Sequence, residues 1–274
     1  MIRVVLVLLV SLLSSLPVLA GAPKRVIVPA ARYPWSAVGR IRYGHGWCSG
    51  VLIGPRLAVT AAHCLWNEAT RRVMAPAALR FVVGWDRGDA LAGSLVESYR
   101  ISPTWRFADL AHYGPAAASR DWALLRLVRP LGREVGWMGL GHAPVVGETV
   151  TAVGYARGSR DVPTADIDCA VIGRAPSGLW LHDCGAIKGD SGGPVLVWRD
   201  NSPRLVAIHV AALTESDGRT IGGAVGVAAF RRAALAAGAR RVGHVGPLSA
   251  GSDTAAIRAM VAGKVTARPR PSVG

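Results

Sequence analysis

The sequence predicts an all-β fold of antiparallel sheet, closed or sandwiched, and three observations lead there. Thirty-three glycines and seventeen prolines run through the 274 residues and interrupt short Val-, Leu- and Ala-rich stretches that suit strands better than long helices. Turn signals such as Gly44-His45-Gly46 and Gly54-Pro55-Arg56 separate those stretches. The same rhythm returns in the second half, and the length allows one large or two small domains with a sizeable core.

In chain order, Arg3, the uncharged apolar stretch from Val4 and the small residues around Ala20 read as a secretory signal peptide over 1–20. A retained membrane anchor fits less well, because Val4 to Leu19 is short for a span and contains serines and a proline. Residues 21–25, ending in Lys24-Arg25, have the form of a short propeptide. A first unit over 26–130 holds strand-like runs at Trp35 to Ile41, Cys48 to Ile53, Leu57 to Thr60, Leu79 to Gly84, Leu95 to Ile101 and Ala123 to Leu127. Val128-Arg129-Pro130-Leu131-Gly132 reads as the linker. A second unit over 131–240 repeats the pattern at Thr149 to Tyr155, Ile167 to Ile172, Leu179 to His182, Pro194 to Trp198, Leu205 to Val210 and Gly223 to Phe230. Phe230 to Ala239, rich in Ala and Arg, predicts a helix. Residues 241–274 read as a basic Gly/Ala/Pro-rich tail with a short helix at Thr254 to Gly263.

The formal charge of +15 is concentrated late in the chain, where eight Lys/Arg from Arg231 onward face only Asp253. No aromatic-interleaved basic patch accompanies it, so the expectation is weak association of the tail with anionic surfaces and no specific nucleic acid. Cys48, Cys64, Cys169 and Cys184 are an even set, in keeping with an oxidising compartment, and allow three pairings. The remaining histidines show no metal-ligand spacing, so neither a metal site nor a cofactor is expected.

Gly189-Asp190-Ser191-Gly192-Gly193-Pro194 combines a hydroxyl nucleophile, glycines and a carboxylate. Glycines flanking Ser191 allow the amides of Gly189 and Ser191 to point into one small space, as an oxyanion hole requires. A plain Gly-rich turn between strands would look similar. A serine nucleophile also needs a base and a group to hold the base's tautomer. His63 in Thr60-Ala61-Ala62-His63-Cys64 and Asp121 in Asp121-Trp122-Ala123-Leu124-Leu125-Arg126-Leu127 offer both; Asp109, the nearest competitor, lacks a following strand pattern.

These three motifs, in the order His, Asp, Ser, resemble the trypsin/chymotrypsin-like serine protease family over about residues 26 to 235. The resemblance implies two antiparallel six-stranded β-barrels with a C-terminal helix and tail. His63, Asp121 and Ser191 would be the catalytic residues of a secreted or periplasmic endopeptidase acting on protein or peptide substrates as a monomer. It also implies that Cys48 pairs with Cys64 and Cys169 with Cys184, and that a new α-amine on Val26 pairs with Asp190 after processing. The substrate pocket would be lined by Gly185, His209 and Ala212. Gly185 puts no acid at the pocket base, and Asp183, offset by two residues, is expected to face elsewhere. His182-Asp183-Cys184 and Ala207-Ile208-His209 resemble the bacterial glutamyl-endopeptidase-like branch, in which a pocket histidine binds a substrate carboxylate. Ala212, where a glycine is usual, favours small side chains instead, and both preferences stand. Val210 replaces the serine that usually supports the aspartate. The alternative from another class is a catalytically weak or silent binding protein on the same scaffold.

Overall fold

The computed structural model describes residues 24–249 apart from 45, 160, 215 and 217. The signal peptide, the first residues of the expected propeptide, and the tail from 250 with its short helix lie outside the described residues.

The chain forms two closed six-stranded antiparallel barrels. A short strand β1 (Lys24–Ile27) comes first. The first barrel is built from β2 (Val38–Tyr43), β3 (Gly46–Gly54), β4 (Leu57–Thr60), β7 (Arg80–Val83), β8 (Ala92–Ile101) and β9 (Ala123–Leu127). The small hairpin of β5 (Trp66–Asn67) and β6 (Arg72–Val73) stands outside it. Around the ring the order is β2-β3-β4-β9-β8-β7, and β7 closes back onto β2. Phe81 fills the centre: it is fully buried, and a Cβ on Gly39 would lie 2.7 Å from its ring, so the glycine makes room for the aromatic.

After the two-residue strand β10 (Gly139–Leu140), the second barrel runs through β11 (Thr149–Gly154), β12 (Thr164–Arg174), β13 (Trp180–His182), β14 (Pro194–Arg199), β15 (Ser202–Thr214) and β16 (Thr220–Gly226). Its ring is β11-β12-β13-β16-β15-β14, and β14 pairs back onto β11. On the outer side of β12, β1 adds an antiparallel strand with Arg25 opposite Asp166 and Val26 opposite Ala165.

Several expected boundaries move for local reasons. Trp35–Ala37 forms a 3₁₀ turn, so the first barrel strand starts at Val38. β16 stops at Gly226, where another 3₁₀ turn follows. The linker region passes directly into a helical turn, Leu131–Val135, packed so closely that a Cβ on Gly132 would lie 2.5 Å from the Gly54 carbonyl oxygen. The C-terminal helix spans only Arg231–Ala236. Gly238, at φ +103, ends it, with Gly238 N–H donating to Leu235 O and Ala239 N–H to Ala234 O in a Schellman arrangement. The tail begins later than Arg241: His244 stacks on Trp137 at 4.4 Å, Arg240 N–H donates to Ile53 O, and Ser249 is fully buried.

Candidate active site

His63 and Asp121 meet because of strand register. Thr60 at the end of β4 lies opposite Ala123 at the start of β9, so the residues just beyond and just before them emerge together. His63 sits on the 3₁₀ turn Ala62–Leu65. Its Nδ1 lies 2.5 Å from Asp121 Oδ2, and its main-chain N–H donates to Asp121 Oδ1 at 2.8 Å. Asp121 is fully buried. Burial acts to lower the pKa of His63, but the charge and hydrogen bond of Asp121, helped by Glu68, win and hold it above the ordinary value. Asp109 pairs with Arg120, away from this contact.

Tyr113 supplies what Val210 lacks. Its hydroxyl donates to Asp121 Oδ2 at 2.5 Å and lies 3.0 Å from Val210 O. Asp121 thereby accepts three donors on two oxygens. The sequence carried one clue, the missing serine at position 210, which leaves the aspartate in need of another donor.

Ser191 comes from the second barrel, three residues before β14. Its carbonyl oxygen accepts the N–H of Ser49 at 2.8 Å and lies 3.8 Å from Cys64 Sγ, next to His63. Among the described residues no hydrogen bond joins Ser191 Oγ to His63, a contact that in many enzymes tightens only in the Michaelis complex. Gly189, at φ +100, has no room for a Cβ, which would stand 2.4 Å from Tyr155 O. Arg157 N–H donates to Lys188 O at 2.7 Å and fixes the peptide whose nitrogen belongs to Gly189. Among the described residues the N–H groups of Gly189 and Ser191 donate to no protein acceptor, which leaves both for an oxyanion.

Ser49, also fully buried, clamps the barrels together. Its hydroxyl donates to Gly189 O at 2.7 Å and accepts from Tyr155 N–H at 2.8 Å, while its carbonyl accepts from Thr60 Oγ1 at 2.8 Å. Behind it, Arg40 lies 4.4 Å over the ring of Trp47 and pairs with Asp161 from the other barrel. Both disulfides close, Cys48 with Cys64 and Cys169 with Cys184. Cys48, His63 and Cys64 bring ligand atoms together, but the two sulfurs are bonded to each other and offer no thiolate to a metal.

The chain described is uncleaved, so the charge pair expected between a processed Val26 α-amine and Asp190 does not arise in it. Val26 N is a peptide nitrogen in the β1 ladder and carries no charge, and Asp190 Oδ2 takes Arg25 Nη2 at 2.9 Å and Ile187 N–H at 3.2 Å. Burial raises the pKa of Asp190, and Arg25 and the Ile187 N–H oppose that rise.

In the pocket region, Gly185 O accepts from Arg25 Nη2 at 3.1 Å, and Asp183 turns away to accept Ala170 N–H at 2.6 Å. Ala212 is exposed on β15 opposite Gly222. His209 is buried, with Nδ1 3.3 Å from Nε2 of His182. One proton lies between these two nitrogens. If His209 donated it, His182 Nδ1 would be an N–H buried without a partner among the described residues; if His182 donates, that nitrogen is a bare acceptor, the cheaper arrangement. The second tautomer leaves His209 with Nε2–H, a neutral donor. Burial pushes His182 down to about 4, and burial together with His182, Arg25 and His63 pushes His209 well below its ordinary value.

A pH dependence of stability follows. His182 charges near its ordinary value when unfolded and only near 4 when folded, so between those values the unfolded chain binds more protons and stability falls as pH falls. From neutral pH to pH 4, wild type is expected to lose about 3 kcal/mol more than His182→Asn. Urea unfolding at the two pH values measures this, and equal losses would show that His182 is not held neutral.

A protein-family model described as Trypsin matches residues 26–234. Glutamyl endopeptidase of Bacillus licheniformis is 29% identical over 127 residues, covering 45% of this chain and 37% of that protein. Coagulation factor XII of Cavia porcellus is 35% identical over 119 residues, covering 42% of this chain and 17% of that protein. The chain thus spans less than half the length of these curated relatives. A solved Glu endopeptidase in complex with MPD is 23% identical with a TM-score of 0.63, covers 80% of this chain and 99% of its own, and shares the fold. With the family match spanning most of its length, the chain belongs to the trypsin family.

Proposed function

We propose that this chain is an exported serine endopeptidase. In this reading His63 takes the proton of Ser191 Oγ as that oxygen attacks a peptide carbonyl, Asp121 orients His63, and the amides of Gly189 and Ser191 hold the oxyanion. His63 then gives its proton to the leaving amine, and water hydrolyses the acyl-enzyme. The observation that carries the reading is the His63–Asp121 contact beside a glycine loop with two unused amides. Because His63 must be neutral to act and its pKa is raised, activity should rise with pH as this imidazole loses its proton.

For the substrate side chain we favour one bearing an oxygen acceptor, glutamate foremost. Gly185 supplies no acid, and the favoured tautomer leaves His209 a neutral N–H donor. The similarity to glutamyl endopeptidase points the same way. The test is cleavage of a peptide library together with organophosphate labelling located by mass spectrometry. Label on Ser191 and cuts after Glu are expected. No label and no cleavage would favour a silent binding protein, and cuts after small apolar residues would overturn the preference alone.

A further inference from the structure

Three consecutive peptides build the candidate oxyanion loop. The first carries the Gly189 N–H and the third the Ser191 N–H, the two amides without a protein acceptor among the described residues. Each of these is held from behind by a main-chain donor: Arg157 N–H donates to Lys188 O at 2.7 Å, and Gly193 N–H donates to Asp190 O at 2.7 Å. The middle peptide, which sets the angle between the other two, is held by a side chain. Its carbonyl, Gly189 O, accepts from the Ser49 hydroxyl at 2.7 Å, and that hydroxyl accepts from Tyr155 N–H at 2.8 Å. An amide N–H can only donate and a carbonyl can only accept, so the direction of both bonds is fixed.

We infer that Ser49 is a positioning residue for the oxyanion hole: its hydroxyl fixes the peptide between the two donor amides, so that both aim at one point. This rests on the reading of Ser191 as nucleophile and of the Gly189 and Ser191 amides as its oxyanion donors. The main chain of Ser49 supports it, because its N–H donates to Ser191 O at 2.8 Å, and one residue of the first barrel thus grips the carbonyls of both donor residues. Ser49 O in turn accepts from Thr60 Oγ1 at 2.8 Å, which anchors the grip to β4. Ser49, Tyr155 and Gly189 are all buried, so Gly189 O and Tyr155 N–H depend on this hydroxyl for a partner. Without it both are left unpaired, and the 189–190 peptide turns to find another donor. Gly189, at φ +100 and without a Cβ, offers little resistance to that rotation, which changes the angle between the two donor amides.

The test compares wild type, Ser49→Ala and Ser49→Thr on one peptide substrate, each made in chains beginning at Gly21 and at Val26 and read in the form whose wild type is faster. Organophosphate labelling run to completion counts the working sites. Ser49→Ala is expected to lose about 10-fold to 100-fold in kcat per labelled site, the scale of a misplaced catalytic group, with KM little changed. Its affinity for a peptide aldehyde, whose adduct places an oxygen in the same hole, should fall by a similar factor. The acid limb of the pH–rate profile should stay in place, since His63 is untouched. Ser49→Thr, which keeps the hydroxyl, should stay within a few-fold of wild type. A merely structural role would lower the number of labelled sites and leave the rate per site and the aldehyde affinity alone. That result overturns the inference, as does a Ser49→Thr chain as slow as Ser49→Ala. Should Ser49→Ala fail to fold, Ser49→Gly, which also removes the hydroxyl, and Ser49→Thr decide in the same way. If wild type from both starts hydrolyses nothing and takes no organophosphate, the nucleophile reading fails and this inference falls with it.

Discussion

Ser191→Ala should lower kcat by about a million-fold while leaving the fold intact. The size follows from the division of labour in the site. Without the hydroxyl there is no covalent step, and His63 and Asp121 have nothing to activate. What remains is binding and the two amides, worth roughly a thousand-fold to ten-thousand-fold over the uncatalysed reaction. The fold should survive because the neighbouring structure uses the main chain of Ser191: its carbonyl takes the Ser49 N–H, and among the described residues its hydroxyl makes no hydrogen bond. Peptide hydrolysis, organophosphate labelling and urea midpoint, measured on the same preparation, check each part. An unchanged rate would remove Ser191 from the mechanism, and a lowered midpoint would show a structural role for the hydroxyl.

The barrels and the three motifs were legible because each is constrained locally. A serine flanked by positive-φ glycines, a histidine after a buried strand and an aspartate before one are residue types that short-range geometry accommodates. Groups whose role depends on distances across the two barrels were not legible. Ser49 is one of many serines until the fold sets it against Gly189 and Tyr155. Arg40 lies in a strand that reads as ordinary, yet three aromatic rings from both barrels surround it. Tyr113 stands in a loop of prolines and alanines with no periodicity to place it. The pairing of Arg25 with Asp166 and Asp190 belongs to the same class, since nothing local marks the acid of a strand as buried and in need of a cation.

These hidden groups share a pattern. Ser49 reaches the glycine loop at Gly189 from the first barrel, Tyr113 reaches Val210 of the second, and Trp47 Nε1 donates to Tyr155 O across the same junction at 2.7 Å. The proposed triad is thus held by bonds that exist only when both barrels are docked. Catalytic geometry should be lost as the barrels separate, even where each keeps its own disulfide.

Asp121→Asn should cost about ten-thousand-fold in kcat at neutral pH, and Tyr113→Phe about ten-fold. The main-chain N–H of His63 donates to Asp121 Oδ1 and cannot change its polarity. An asparagine must therefore turn its carbonyl oxygen toward that N–H, which puts its NH2 group against His63 Nδ1. The imidazole answers by carrying its proton on Nε2, the nitrogen needed to receive the proton of Ser191, and general-base catalysis stops. Tyr113→Phe leaves the tautomer alone and removes one donor from Asp121 Oδ2. The carboxylate's charge is then less dispersed, so it holds the imidazolium more strongly, and the acid limb of the pH–rate profile should move to higher pH. Beside an asparagine at 121 the tyrosine has no carboxylate to support, so Asp121→Asn/Tyr113→Phe should lose no more than Asp121→Asn alone. Profiles of kcat/KM against pH for the four proteins provide the measurement. A Tyr113→Phe profile that overlays wild type in height and in acid limb would show that Asp121 is held without the tyrosine, and fully additive losses would show that the two residues act apart.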